Sequence, residues 1–442
     1  MTKDSLAVAI EALSWMAYAG LGERTALFRA AEQIGVDDPN ELRVAHKIIM
    51  ETTRYQNRLE FILTRTLPKE RLERTSHGIA SFLKILTYLC YVSGARGRKV
   101  SATVDAARQI LGWKDVQPYE KVFASIASAT VPADTTNLPE VERASLQTCH
   151  PVWFVERLIL EFGRDAALRM LHQNLQFLPS YARINSLKIR EVDYEKTIHE
   201  LGASAVDAVQ GVVKLDSRSQ AAVRSRHLSS GEIVIQDFAS IVAGLVATPA
   251  PGSTVMDVCA APGNKTSHLA ALMRNDGEIY SIDVSDRRLS HWAKEMRRTG
   301  TTAASPIRAD ARRIPIKVDA DVVLVDPPCS NSGVLARNPA AKWRITEGRV
   351  HEFSISQLAI LQAASRHVRV NGSLVYCTCS VLPEENEFVI DEFVRGNPGF
   401  RLSSQTPFLG SRGVRGFDLC QRFYSHIHFC NGYFIAKFQR TV

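Results

Sequence analysis

This 442-residue chain contains neither a G-x-G-x-x-G turn nor a G-x-x-x-x-G-K-[ST] loop. Without the first, a dinucleotide pyrophosphate has no double-glycine seat. Without the second, ATP hydrolysis is disfavoured, although Lys265-Thr266 superficially echoes such a loop with one glycine, Gly263, just ahead of it. Cysteine is sparse and uneven, with eight in the chain, which excludes a secreted disulfide framework and points to reduced thiols in a cytoplasm. Paired C-x-x-C knuckles are missing; Cys377 and Cys379 form a C-x-C, so no zinc or other metal is expected. No apolar run approaches the roughly 18 residues that span a bilayer, so no membrane association is expected. Met1-Thr2-Lys3-Asp4 leads straight into an amphipathic segment rather than a signal peptide. Internal repeats and low-complexity tracts are also lacking.

What is present is 45% hydrophobic residues, enough for real cores, and 54 basic against 46 acidic side chains, a formal +8. That balance suits an anionic partner such as nucleic acid, but it suits an ordinary basic soluble protein equally well. Residues 1 to about 130 read as all helix. Ala45, Ile48, Ile49, Thr52, Tyr55, Leu59, Ile62 and Leu63 recur at spacings of three and four, and Phe82–Cys90 forms a second buried stripe. Lys69, Arg71, Arg74, Arg96, Arg98 and Lys99 lie between these helices, as phosphate contacts or as a solvated face. Residues 131–149, opening with the Pro-containing polar stretch that ends at Pro139, read as a linker. Residues 150–228 read as a small α+β segment, with a helix opening at Pro151 and a strand over Arg183–Lys188. Lys214, Arg218, Arg224 and Arg226 add charge there. From 229 to 442, strands and helices alternate, which predicts a mostly parallel sheet wrapped by helices.

Four predicted strands of that sheet end in chemically informative loops or residues. Thr254–Val258 runs into Cys259-Ala260-Ala261-Pro262-Gly263-Asn264-Lys265, a loop of mostly small residues leading into a helix. Its backbone N–H groups can face a polar or anionic ligand. Asp283 ends the next strand, where a carboxylate can accept ribose hydroxyls, and Asp310 ends the third, within reach of an adenine amino group. Asp326 ends the fourth. The set fits an adenosine-bearing cofactor across the sheet edge. S-adenosylmethionine suits it better than NAD, which would need the missing double-glycine turn.

Two cysteines follow strands directly at this edge: Cys329 in Asp326-Pro327-Pro328-Cys329-Ser330 and Cys379 in Tyr376-Cys377-Thr378-Cys379-Ser380. Cys377 reads as core, and Cys90, Cys149, Cys420 and Cys430 as small buried hydrophobes. Pyrimidine C5 is a poor nucleophile. A thiolate adding at C6 turns the ring into an enamine whose C5 can attack an electrophilic methyl. An acid near N3, which Asp326 can supply or relay, and a base for the C5 proton complete the requirements.

The motifs Arg183-Ile184-Asn185, Gln236–Ser240, Asp257–Thr266, Asp326–Gly333, Arg337, Lys342-Trp343, Tyr376–Ser380 and Glu385-Asn386-Glu387 resemble those of the Nop2/Sun (Fmu) RNA cytosine-C5 methyltransferases, from about Pro151 onward. The resemblance implies a Rossmann-like class I methyltransferase fold with S-adenosylmethionine as cofactor. It implies that Cys379 is the nucleophile and Cys329 the helper in product release. It implies that Cys259–Lys265 lines the cofactor, Asp283 holds the ribose, Arg288 lies on the cofactor side, Asp310 lies near the adenine, and Asp326 stands between methionine amine and target base. Arg183, Asn185 and Lys188 are expected to contact the RNA. Asn264 stands where the family usually has Gly, and Asn431-Gly432-Tyr433-Phe434 replaces the usual Asp-Gly-Phe-Phe. The helical N-terminus is similar to a NusB-like RNA-binding domain, which makes ribosomal RNA the expected substrate, with tRNA open, and a monomer the expected state. The alternatives are an amino-group N-methyltransferase using Asp326-Pro327-Pro328, and a non-catalytic RNA-binding factor with a vestigial pocket.

Overall fold

Thr2 accepts the Ser5 N–H and opens the first helix, Lys3–Ala19, which buries Leu6, Ala9, Ile10 and Leu13 along one stripe. That stripe packs with Ala45, Ile48 and Ile49 of the Pro39–Arg54 helix and with Phe82, Ile85, Leu86 and Leu89 of the His77–Tyr91 helix. Alanines at 9, 12, 26, 30 and 45, all fully buried, let these helices approach closely. Phe82 meets Phe123 edge-on at 5.2 Å, a geometry worth about 1 kcal/mol beyond its burial. The computed structural model describes residues 1–130, 134–215 and 226–442. The chain divides into two units, Met1–Leu175 with Asn338–Arg344, and Gln176–Arg337 with Ile345–Val442.

The division differs from the sequence reading. Glu140–Thr148 is a helix, not a linker; its Ala144, Ser145 and Thr148 face is buried. Val131, Pro132 and Ala133 lie outside the described residues. The helices Val152–Phe162 and Arg164–Gln173 join the helical unit, and the rest of the predicted 150–228 segment joins the unit that carries the large sheet. Polar, Pro-containing composition could not show that a helix begins at Glu140 or which core the next helices would reach.

The seven residues Asn338–Arg344 sit within the helical unit. The Lys342 side chain is 1% exposed, and its ammonium donates to the carbonyls of Arg54 (3.4 Å) and Cys149 (3.1 Å). The Trp343 indole N–H donates to Thr53 O at 2.8 Å. Burial pulls Lys342 down to about 7 from its ordinary lysine value. The unfolded chain therefore binds the extra proton between pH 7 and about 10, and stability rises with pH across that window. Between pH 7 and 9.5 wild type should gain about 3 kcal/mol relative to Lys342→Met, read from urea midpoints at the two pH values. Parallel pH profiles would show that this ammonium is not buried.

In the second unit a small antiparallel sheet contains β1 (Ser180–Ile184), β2 (Ser204–Ala205), β3 (Val212–Leu215) and β4 (Ile233–Ile235) in the order β2-β3-β1-β4. The predicted strand over 183–188 thus ends at Ile184. The large sheet is built from β5 (Ser253–Val258), β6 (Gly277–Asp283), β7 (Ala304–Arg308), β8 (Ala320–Val325), β9 (Val368–Thr378), β10 (Phe400–Leu402), β11 (Ser411–Arg412), β12 (Gln421–Phe423) and β13 (Tyr433–Arg440). Its order is β11-β12-β13-β9-β8-β5-β6-β7, with β10 on β13. Strands β5 to β9 are parallel, and β13 runs antiparallel to β9.

Val255, Val322, Leu324 and Val375 bury one face with the Phe238–Ala247 helix, while Met256, Val258, Val323, Val325 and Leu374 bury the other with Glu347–Ser365. Apolar residues on both faces explain the continuous run Val322–Val325. After β7 the chain returns to the far side of β5 to form β8, creating the switch point at which open α/β sheets bind ligands. Register pairs Val258 with Val325 and Val325 with Tyr376, so Cys259 and Asp326 leave the sheet at one edge, level with Cys377, which is still paired in β9. No described helix is long and apolar enough to cross a membrane.

Candidate active site

At the end of β5, Cys259 takes a positive φ of 65° and the chain turns through Ala260, Ala261 and Pro262 to Gly263, where the helix Asn264–Leu272 begins. Gly263 has φ +112°, and a Cβ there would lie 2.7 Å from Met296 Cε and 3.1 Å from the Trp292 ring. Only glycine lets the loop lie this close to the Asp286–Thr299 helix. Asp283, 2% exposed, accepts the N–H groups of Ala261 (3.2 Å) and Ser285 (3.1 Å). Arg288 pairs with Asp283 at 3.2 Å and also donates to the Ala261 carbonyl, so carboxylate, loop and guanidinium form one assembly. Asp310 is turned to a different partner: Arg312 grips both its oxygens and holds its carboxyl down to about 2.

Beneath the loop, the Asp257 carboxylate takes the Thr266 hydroxyl at 2.6 Å and is pushed up to about 6 by burial. Its other oxygen, Oδ1, has no hydrogen-bond partner among the described residues. A small-residue loop, an anchored carboxylate one strand over and an orphaned buried oxygen below are a fitting cradle for the nucleoside and amino-acid ends of S-adenosylmethionine.

Asp326 accepts the Lys265 ammonium at 2.6 Å through one oxygen, and the Cys377 thiol lies 3.8 Å from the other. Burial opposes the Lys265 charge, but Asp326, Cys377 and Asp257 together outweigh it and the net shift is upward, so the ammonium persists at neutral pH. Cys377 is fully buried, as the sequence suggested, and takes the Tyr433 hydroxyl at 3.3 Å.

Cys329 and Cys379 face each other with Sγ···Sγ at 3.2 Å. Cys379 is partly exposed, whereas Cys329 is 7% exposed. The contact with Cys379, together with burial, holds the Cys329 thiol well above the ordinary range. Cys379 also approaches Asn331 Oδ1 at 3.1 Å.

Sequence reasoning quoted Glu385 without a role; the structure makes it the hub behind both thiols. Its buried carboxylate accepts the Ser330 N–H (2.8 Å), the hydroxyls of Ser330 and Ser380, and the Gln357 amide (3.0 Å). Asn386 takes the Thr378 hydroxyl and donates to the Ser380 carbonyl. Gly333 lies so close to Gly432 that a Cβ there would sit 2.0 Å from the Gly432 carbonyl oxygen. Gln357, Asn331 and Tyr433 were not singled out for the site. No local signal identifies them, because each acts on a loop distant in sequence.

The predicted RNA contacts need correcting. Arg183 is 3% exposed and donates to Gln236 (3.1 Å), Ser267 (2.6 Å) and the Asn264 carbonyl (3.4 Å), and burial pulls it down to about 9. Asn185 is fully buried and donates to the carbonyls of Gly231 and Thr299, each at 2.8 Å. Lys188 is exposed, but its ammonium bonds the carbonyls of Ser230 and Arg298. Arg183 and Asn185 are internal braces unable to reach a phosphate, and Lys188 spends its donors on the protein. Arg218 and Arg224 lie outside the described residues.

Residues 245–439 match the family model described as 16S rRNA methyltransferase RsmB/F. The chain is 34% identical over 254 residues to a tRNA (cytosine(72)-C(5))-methyltransferase of Pyrococcus horikoshii, covering 57% of this chain and 63% of that one. It is 30% identical to a probable ribosomal RNA small subunit methyltransferase B of Synechocystis, covering 69% and 70% respectively. The solved structure of NSun6 from Pyrococcus horikoshii with SFG, an S-adenosylmethionine analogue, is similar over 66% of this chain and 98% of that one, with a TM-score of 0.60 and 25% identity. The names of these relatives favour the cytosine-C5 reading over the N-methyltransferase and vestigial-pocket alternatives. With the cofactor cradle and the facing thiols on one sheet edge, the chain belongs to the RsmB/F family of S-adenosylmethionine-dependent RNA cytosine-C5 methyltransferases.

Proposed function

We propose that this protein methylates C5 of a cytosine in small-subunit ribosomal RNA through a transient bond between Cys379 and C6 of the base. The observation that carries the reading is the 3.2 Å approach of a partly exposed Cys379 to a deeper Cys329, on the sheet edge that also holds the Asp326–Lys265 pair. S-adenosylmethionine, when bound by the Cys259–Lys265 loop and Asp283, supplies an electrophilic methyl for C5. The Cys379 thiolate adds to C6, and the ring's electrons move toward C5 and N3. Asp326 and the Lys265 ammonium form the proton reservoir facing N3. After transfer a base accepts the C5 proton, the C5–H electrons restore the C5–C6 double bond, and the S–C6 bond breaks with its electrons on the Cys379 sulfur. Cys329, kept protonated, directs its S–H toward the Cys379 sulfur and stabilises that sulfur as it leaves. The base must be unstacked to reach both thiol and cofactor. The helical unit, read as NusB-like, adds RNA affinity.

Labelled S-adenosylmethionine and ribosomal RNA, followed by bisulfite mapping, test this reading. One 5-methylcytosine in small-subunit RNA supports it; methylation confined to tRNA would replace the substrate and leave the chemistry intact.

With Arg183 and Asn185 buried, the RNA backbone needs other cations. Arg313, Lys317 and Arg366 are exposed around a cavity of about 820 Å³, and none of the three lies in an ion pair among the described residues. Arg313→Ala/Lys317→Ala/Arg366→Ala should weaken binding of all RNA sequences alike. It should also flatten the slope of log K against log salt by about 2 to 3. An unchanged slope would show that the phosphates lie elsewhere.

A further inference from the structure

We propose that Cys329 and Cys379 also form a reversible oxidation site, closing to a disulfide when a peroxide reaches the catalytic edge. The inference goes beyond methyl transfer and rests on the thiol geometry alone. The two sulfurs stand 3.2 Å apart, and a disulfide needs about 2.05 Å, so closure asks for a movement of about 1.2 Å.

Hydrogen bonds within the protein hold the loops in this opposition. The Gly333 N–H donates to the Cys379 carbonyl at 2.9 Å, Ser330 and Ser380 converge on the Glu385 carboxylate, and Ser332 takes the Val381 N–H at 3.0 Å. Exposure sets the order of events. Cys379 is partly open and meets the oxidant first, while Cys329, 7% exposed, waits beneath it as the resolving thiol. Cys377, two residues away, points to Asp326 and Tyr433 instead and takes no part.

The steps balance. The Cys379 thiolate attacks one oxygen of hydrogen peroxide; an S–O bond forms, the O–O bond breaks, and the departing hydroxide takes a proton to become water. The Cys329 sulfur then attacks the Cys379 sulfenic sulfur; the S–S bond forms, the S–O bond breaks, and the hydroxide leaves as water with the Cys329 proton. In sum, two thiols and one peroxide give one disulfide and two waters. Two electrons from an added dithiol restore both thiols. While closed, the pair has no nucleophile. In that state it is also protected from irreversible sulfinic oxidation.

The test uses the full-length protein with hydrogen peroxide, followed by alkylation of remaining thiols, trypsin and mass spectrometry. Wild type should yield the segment 318–337 linked to 370–395, with Cys329 and Cys379 as the bonded pair. Dithiothreitol should return both thiols. In Cys329→Ser, peroxide should carry Cys379 to sulfinic acid that dithiothreitol does not reverse. The proposal is overturned if wild type accumulates sulfinic acid at Cys379 without the cross-link. Bonding of Cys379 to Cys377, or full recovery of Cys329→Ser with dithiothreitol, would overturn it too. These readouts follow sulfur chemistry, so they stand or fall independently of which RNA is methylated.

Discussion

Cys379→Ala will abolish covalent capture of RNA and lower methyl transfer by a factor on the order of 10⁴ to 10⁶, the scale of removing a nucleophile from an otherwise intact site. Cys329→Ala will behave in the opposite way: the base is still attacked, but the S–H that stabilises the departing Cys379 sulfur is missing. Protein–RNA adducts should then survive denaturing electrophoresis. The asymmetry has a structural cause. Cys379 is partly open, whereas Cys329 is buried and kept as a thiol by its contact with Cys379 and by burial. RNA containing 5-fluorocytosine should trap wild type and Cys329→Ala but not Cys379→Ala. Equal trapping by both variants would contradict the assignment of roles, and trapping by Cys379→Ala alone would exchange them.

Glu387→Ala should cost about 3 to 5 kcal/mol of stability and most of the activity. Glu387 is fully buried, Arg422 is 1% exposed, and the two meet in a two-point pair with Nε–Oε1 at 2.6 Å. Removing the carboxylate strands a guanidinium in the interior, the case in which breaking a buried pair is expensive. The Val414 N–H loses its acceptor as well. Activity falls because Glu387 opens the helix that follows Glu385 and Asn386, and these residues hold both cysteine loops. Glu387→Leu/Arg422→Met should recover most of the stability, since neither charge is then buried alone. Urea unfolding of the three variants decides it. A single-variant loss below about 1 kcal/mol would mean that water reaches the pair.

Much of the site could be read from sequence because it is local. The apolar runs before Cys259, Asp326 and Cys379 placed these residues at strand ends, and the small residues of 259–263 marked a loop that a ligand can approach. Arg183 and Asn185 were misread because a basic or amide side chain near a strand looks the same whether it faces water or carbonyls. Asn185 is braced by Thr299, 114 residues away. Lys342 and Trp343 gave no hint that their segment belongs with helices formed by the first half of the chain. Glu385 stood in a quoted motif, but its role depends on serines from two different loops.

The sequence by itself determined the chemistry on offer: two strand-end thiols, a lysine, a loop too small-featured to block a cofactor, and carboxylates at successive strand ends. These follow from residue type and local periodicity, which need no knowledge of distant neighbours. Only the tertiary structure decided which groups meet and which are cut off from solvent. The strand order that seats β9 beside β8 brings sulfurs 50 residues apart to 3.2 Å, and packing buries Arg183 while leaving Cys379 partly open. Contact distance and desolvation depend on the neighbours that folding supplies, and many of those neighbours lie far along the chain.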